Sequence, residues 1–276
     1  MPAKIEEPRD RFLANVAAGP VVMGILNVTP DSFSDGGQFV GADAAIAQAQ
    51  RMAEAGAAIV DLGGESTRPG AVPVAEDEEW SRIAPVLSTL KDALSVPISI
   101  DTYKAPIARR AVLAGAAVIN DVWGLQGDPA MADTVAETGA AVVAMHNRRE
   151  VAPEMNILDD VAEFFETTLS LAHAAGIPAD HIILDPGLGF GKTPEQNFAC
   201  LKHLDRFQRF GKPLLLGLSR KSMIGHALDA DGGDRLIGTL AANVIGLANG
   251  ARILRVHDVA EHKAAIDIYR ATEAAK

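Results

Sequence analysis

Eight short apolar runs, spread over the whole chain, each end in residues that can bind or react. In order, the endings are Asn27; Asp61, which leads into GGESTRPG; Asp101; Asn120 with Asp121; His146; Asp185; Ser219, Arg220 and Lys221; and Arg255 with His257. By chemistry they form two sets. Asp101, Asn120 and Asp185 offer acceptors and an amide, which suit a planar heterocycle with NH and NH₂ donors, because a carboxylate grips such an edge through two parallel hydrogen bonds. Arg68, in the loop after Asp61, joins Lys221, Arg255 and His257 as cationic donors for an anion, best a phosphate or diphosphate. The side-chain oxygen of Asn27 suits a divalent ion, and Mg²⁺ is commonly held by one or two protein oxygens with phosphate and water. Heterocycle, diphosphate and Mg²⁺ together point to displacement of a diphosphate leaving group.

Residues so far apart meet only if the fold brings the ends of their runs together. The runs cover 21–26, 57–62, 96–101, 117–121, 140–146, 181–186, 213–219 and 251–257, and between them lie segments of helical spacing at 43–55, 76–94, 106–114, 129–138, 157–175, 194–210, 235–248 and 260–272. Asp43, Asp77, Asp128 and Thr193 stand where helix N-caps belong, and Gly56, Gly115, Gly139, Gly176 and Gly211 where C-caps belong. Strand–helix alternation implies parallel pairing, and runs apolar throughout imply strands covered on both faces. Eight such units predict an α/β chain folded as a single-domain (β/α)₈ TIM barrel, with a doubly wound open sheet as the alternative. In a barrel all eight C-terminal strand ends share one rim, where such folds place their chemistry. The opposite ends, at Ala57, Val96, Ala117 and Ala140, are bland.

Composition narrows the partners. The 276 residues are 48% hydrophobic and 22% charged with a net charge of −11, which suits a globular core and disfavours nucleic acid and anionic membrane surfaces. One cysteine, Cys200, excludes an internal disulfide framework and fits a reducing cytoplasm. The first residues, MPAKIEEPRDRF, lack the apolar core of a signal peptide, and the longest uncharged run, 236–250, is too short to span a membrane.

Seven blocks closely resemble the dihydropteroate synthase family: GILNVTPDSFSDGG (24–37), DLGGESTRPGA (61–71), SIDTYK (99–104), INDVWG (119–124), LDPGLGFGK (184–192), GLSRKSMIG (217–225) and RVHDV (255–259). The resemblance implies a TIM-barrel transferase that joins (7,8-dihydropterin-6-yl)methyl diphosphate to 4-aminobenzoate in folate synthesis, with Mg²⁺, as a homodimer, and as a target of sulfonamides that mimic the second substrate. It implies an N-terminal extension over residues 1–19 packed on a pterin-binding barrel at 20–276. On matching positions it makes Asn27 the Mg²⁺ ligand, and Asp101, Asn120, Asp185 and Lys221 the polar contacts of the pterin. Met145 and Phe190 would pack on the pterin ring and Arg255 would stack over it. Thr67, Arg68, Arg255 and His257 would meet the diphosphate or the second substrate, and Ser222 the aminobenzoate carboxylate. The segment NRREVAPEM (147–155) departs from the Met-Gln-Gly pattern common in the family, so no role is carried to it.

Several features have plainer readings. GLGFGKT (187–193) is no nucleotide loop, because Pro186 stands where a Walker loop needs glycine. Asp61 and Asp121 are expected as buried structural carboxylates, Cys200 as core, and the acidic start 76–79 as a solvated cap. His146 is open between lining the pocket and organising the rim; His173, His181, His203, His226 and His262 are expected at the surface. Two rivals remain: a methyltetrahydrofolate-binding barrel, which needs neither the diphosphate cations nor the Thr-Pro-Asp-Ser-Phe loop, and a non-catalytic pterin-binding paralogue, which should have lost some of those cations. Within 26–37 the polar stretch reads as a lid: Phe33 against an aromatic substrate, Asp31, Ser32, Ser34 and Asp35 towards Mg²⁺ or its water, Gly36 and Gly37 allowing movement.

Overall fold

The eight apolar runs pair side by side in the order in which they occur, all parallel, and close on themselves. They are β1 (Val21–Asn27), β2 (Ile59–Gly63), β3 (Ile98–Asp101), β4 (Val118–Asp121), β5 (Ala141–Met145), β6 (Ile182–Asp185), β7 (Leu214–Leu216) and β8 (Ala251–Val256). β8 returns to β1 with Val22 opposite Leu254 and Met23 opposite Arg255, which excludes the open sheet. The computed structural model describes residues 7–28, 37–66, 72–228 and 235–275, with the backbone alone for 37–41. Around the strands lie α2 (Gly37–Glu54), α3 (Glu76–Ala93), α4 (Ala105–Leu113), α5 (Met131–Thr138), α6 (Ile157–Ala175), α7 (Pro194–Lys202), α8 (Ser222–Leu228), α9 (Leu236–Ala248) and α10 (Val259–Glu273), and α1 (Pro8–Ala18) precedes the barrel.

Successive strand residues face opposite sides, so each strand feeds two cores. Val21 and Met23 of β1, Ala141 and Val143 of β5, and Ile183 of β6 share the cluster inside the barrel; Val22, Val142, Ala144, Ile182 and Leu184 belong to the shell under the helices. Phe12 and Val16 of α1, 0% and 2% exposed, join the inner cluster. α1 therefore plugs the bland N-terminal mouth and leaves the C-terminal mouth as the opening. Truncating Val16 to Ala removes two carbons from this plug and should cost roughly 2 kcal/mol by the usual transfer and cavity costs, with kcat/KM unchanged. Urea titration and steady-state kinetics check this; lost activity without lost stability would contradict a plug.

The helix ends follow their local chemistry. Thr193 caps α7 with a full capping box, its hydroxyl taking the Gln196 N–H while the Gln196 side chain takes the Thr193 N–H. Asp128 does not cap α5: one oxygen takes the Ala130 N–H at 2.9 Å, and the other takes the Ala105 N–H at 2.9 Å, capping α4 across space. Asp43 lies inside α2, which starts at Gly37, and Asp77 lies inside α3, whose cap position is Ala75. The predicted helix 194–210 divides: α7 ends at Lys202, and Leu204–Phe210 winds as a 3₁₀ turn. Three residues per turn put Phe207 and Phe210 on one side, where both rings meet Phe165 edge-on at 5.6 and 5.7 Å.

Two expectations fail by burial. Glu79 is 1% exposed and takes the Lys104 ammonium at 2.6 Å, so only the start of the acidic run is solvated. His262 is 0% exposed, with Nδ1 2.7 Å from the Asp258 carbonyl, because α10 turns that side of the ring into the shell.

Candidate active site

The two-residue alternation that separates the cores also sorts the polar strand ends. Asn27, Asp61, Asp101, Asn120, Met145, Asp185, Arg255 and His257 continue the inward phase of their strands, whereas Asp121 and His146 fall in the outward phase. Asp121 accordingly serves the chain, accepting the Trp123 N–H at 2.9 Å and the Leu125 N–H at 2.6 Å; burial pushes its pKa up to about 6. His146 is 1% exposed and its ring lies between Asp160 and Lys192, so it organises the rim.

Arg255 is the hub of the inward set. Its Nε donates to Asp61 Oδ2 at 2.6 Å and its Nη2 to Asp101 Oδ2 at 2.5 Å, and Asn120 Nδ2 donates to the same Asp61 oxygen at 3.0 Å. Asp61, 0% exposed, is thus the structural carboxylate expected of it. Burial opposes the charge on Arg255, but Asp61 and Asp101 outweigh it and hold the guanidinium firmly protonated. Burial pushes the Asp101 carboxyl up to about 7, with Arg255 pulling down and Asp61 pushing up. Asp101 Oδ1 is buried and has no hydrogen-bond partner among the described residues, an arrangement that a ligand N–H would complete.

Across the mouth, Asp185 is 3% exposed and accepts the Gly187 N–H at 2.7 Å through Oδ1. Burial raises its pKa, with Lys221 opposing. Lys221 donates to the Leu188 carbonyl and sits 4.2 Å from the centre of the Phe190 ring; burial lowers its pKa to about 7 against the pull of Asp185. Acids shifted up and a lysine shifted down within one cleft mark a site prepared for a ligand. Met145, 4% exposed, lines the inward face of β5.

Two glycines keep the space open. A Cβ on Gly63 would lie 3.5 Å from Asn27 Oδ1 and 3.8 Å from Asp101 Oδ2; one on Gly217 would lie 3.6 Å from Asp185 Oδ2 and 4.0 Å from Arg255 Cδ. These are ordinary contacts, so Gly217→Ala should fold with stability changed by less than about 1 kcal/mol, yet its methyl would occupy ligand space and weaken binding of the heterocycle about tenfold. Calorimetry and a thermal melt test it; unchanged affinity would remove Gly217 from the pocket.

At the ends of β1 and β8, Asn27, Arg220, His257 and Asp258 line a cavity of about 500 Å³ with Gln48 and Arg51 of α2. Ser219 Oγ takes the His257 backbone N–H at 3.3 Å and lies 3.0 Å from Nδ1, so one hydroxyl holds both the backbone and the ring of His257. Arg220, given no role above, has φ +58° and pairs with Asp258 at 3.0 Å through Nε. A larger hollow of about 930 Å³ opens at the other end, against α1 and α10, and holds none of these residues.

Ser222 is exposed and begins α8, only seven residues long, so local N–H groups rather than a long helix dipole are what it could offer an anion. Phe33, Thr67, Arg68 and the rest of 29–36 lie outside the described residues. Sequence reasoning missed Gly63, Gly217 and Lys192; the inward phase of β2 and β7 is the signal that marks the two glycines.

The profile of a family described as pterin binding enzymes matches residues 23–257. Dihydropteroate synthase of Bacillus subtilis is 49% identical over 87% of this chain and 84% of its own. A crystal structure of dihydropteroate synthase from Clostridium difficile, solved in the presence of pteroic acid, superposes with a TM-score of 0.89 at 46% identity, covering 92% of this chain and 97% of that one. The Xanthomonas albilineans dihydropteroate synthase with 4-aminobenzoic acid gives 0.90 at 42% identity, with 94% of each chain covered.

Proposed function

Because the chain belongs to the pterin-binding enzymes and, among them, to the dihydropteroate synthase family, we infer that its rim condenses (7,8-dihydropterin-6-yl)methyl diphosphate with 4-aminobenzoate to 7,8-dihydropteroate and diphosphate. The observation that carries the assignment of residues is the convergence of Asp101, Asn120, Asp185, Lys221 and Arg255 around the opening left by Gly217. Asp101 Oδ1 and Asp185 Oδ2 take ring N–H groups, Asn120 adds an amide, and Lys221 lies at the pterin's margin. Phe190 and Met145 pack on the ring faces, with the Arg255 guanidinium stacked over it.

In the reaction the aryl amine lone pair attacks the exocyclic methylene, the carbon–oxygen bond to diphosphate breaks, and the resulting ammonium loses a proton. No strong nucleophile is needed from the protein. Asp101 and Asp185 stabilise positive charge that develops on the pterin as the bond breaks. His257, held by Ser219, serves the leaving anion together with Thr67 and Arg68, and Ser222 meets the aminobenzoate carboxylate. Phe33 covers the second substrate.

Mg²⁺ fits Asn27. This half-exposed amide faces the open side of Gly63 at the cavity's wall, and among the described residues no group of three or more His, Cys, Asp or Glu forms a cage. One protein oxygen, with substrate phosphate and water, is a common Mg²⁺ arrangement. When bound there the ion would neutralise charge on diphosphate.

Exposed Ile237, Val244 and Ile245 lie along one side of α9, spaced as one helical face, and support a homodimer. Among the described residues no helix is long and apolar enough to cross a membrane, in keeping with a cytoplasmic enzyme.

The test is diphosphate release from the pterin substrate, measured with and without Mg²⁺ and 4-aminobenzoate. Release that needs both supports the reading, and release indifferent to 4-aminobenzoate removes it.

A further inference from the structure

A chain of three polar residues, two of them buried, stands behind the pocket wall and is used by none of the chemistry above. Lys192, 7% exposed, directs its ammonium at three acceptors: His146 Nδ1 at 2.7 Å, the Gly187 carbonyl at 2.9 Å and the Phe190 carbonyl at 3.1 Å. An ammonium has three N–H donors and no acceptor, so this set saturates it and makes Nδ1 the acceptor of the neutral imidazole. The ring proton is then on Nε2, which donates to Asp160 Oδ2 at 2.9 Å, and Asp160 Oδ1 takes Arg148 Nη1 at 2.6 Å. Burial lowers the His146 pKa to about 4, keeping the ring neutral, and lowers that of Lys192 to about 8, leaving it mostly charged at neutral pH.

What this chain holds is the turn after β6. Gly187 has φ +65°, and a Cβ there would lie 1.9 Å from the His146 carbonyl, so the turn is pressed against the end of β5. The same few residues carry three pocket contacts: the Gly187 N–H on Asp185, the Leu188 carbonyl on Lys221, and the Phe190 ring under Lys221. Lys192 holds the carbonyls at both ends of that stretch.

We propose that Lys192, oriented by His146 and through it by Asp160, is a positioning residue that sets the turn 187–190 and thereby the Asp185, Lys221 and Phe190 geometry that receives the pterin. It rests on the reading of function above and adds residues that touch no substrate. Supporting groups behind a site commonly change affinity or activity ten- to a hundredfold, so Lys192→Met should weaken binding of the pterin diphosphate by about tenfold or more. KM for 4-aminobenzoate at saturating pterin should change less than about twofold, since the second substrate meets other loops.

Equilibrium binding of the pterin diphosphate, without 4-aminobenzoate, tests this on parent and variant, with a thermal melt alongside. A parent that fails to bind the pterin takes down the reading of function, and this inference with it. A parent that binds, with a folded Lys192→Met that binds equally, overturns the inference alone. Should Lys192→Met not fold, the His146 pair decides. His146→Asn keeps an acceptor near the Nδ1 position and should weaken pterin binding less than His146→Gln, which keeps only the contact with Asp160. Equal effects of the two overturn the role given to Lys192.

Discussion

Asp185→Asn should lower kcat/KM by at least about a hundredfold while the protein melts at the parent's temperature or above it. Charge-assisted hydrogen bonds contribute about 1.5–3 kcal/mol each, and a pterin edge held by a carboxylate uses two. Losing the charge therefore costs about 3 kcal/mol or more, and each 1.36 kcal/mol is about a factor of ten in rate. The fold stands on the other side. Asp185 is 3% exposed and burial raises its pKa, so its charge is held at a cost in the empty protein. Asparagine has the same shape, and its side-chain oxygen can still accept the Gly187 N–H that Oδ1 now takes at 2.7 Å. The loss should appear in pterin affinity and in turnover, measured by calorimetry and single-turnover kinetics. Unchanged turnover with normal pterin affinity would contradict the role of Asp185.

Arg255→Met should be the more damaging to the fold. It leaves Asp61 and Asp101, 0% and 3% exposed, without the cation that both oxygens now face at 2.6 and 2.5 Å. Removing one partner from a buried ion pair costs about 3–5 kcal/mol, which in a chain of this size is roughly 10 °C of melting temperature. The loss should depend on pH. The Asp101 pKa is raised from 3.8 in the unfolded chain to about 7 in the fold. The folded state thus retains a proton that the unfolded chain gives up. Stability from this group is full below pH 4 and is lost as pH rises to 7, the reverse of a salt-bridged carboxylate with a depressed pKa. Without Arg255, burial and the Asp61 charge act unopposed and the window extends further up. The gap between parent and variant should therefore shrink as pH falls from 8 to 5. Adding Asp61→Asn to Arg255→Met should restore part of the stability, because it removes one of the stranded charges. A gap that is constant over pH, and unmoved by the second substitution, would show that Arg255 supports the fold through packing alone.

Much of this was legible in the sequence because the barrel converts order along the chain into position on a rim. Asn27, Asp101, Asn120, Asp185, Arg255 and His257 each end an apolar run, and a closed parallel sheet puts all such ends together. The distinction between Asn120 and Asp121 was less accessible: it rests on the facing of adjacent residues, which runs buried on both sides do not reveal. Long-range pairing was also out of reach. Glu79 looks like a solvated helix start until Lys104, 25 residues on, is brought to it by the next strand–helix unit. Lys192 was visible only inside a glycine-rich block, because its meaning depends on the carbonyls that a tight turn exposes. The split of 194–210 goes with Phe207 and Phe210 both meeting Phe165 edge to face, a tertiary arrangement that helical spacing does not record.

The opposite facings of Asn120 and Asp121, and of Met145 and His146, bear on how such a chain can change over generations. Each pair is two neighbours with unrelated duties, one facing the mouth of the barrel and one bracing the surrounding protein. Loss of a single codon inside β4 or β5 would exchange those duties, turning a bracing carboxylate or imidazole into the mouth and pushing a mouth-facing side chain under a helix. Extra residues in the surface connections leave every facing as it was. Inheritance in this protein is therefore free to lengthen its loops but is confined to substitution within its strands, where length and chemistry are read in the same frame.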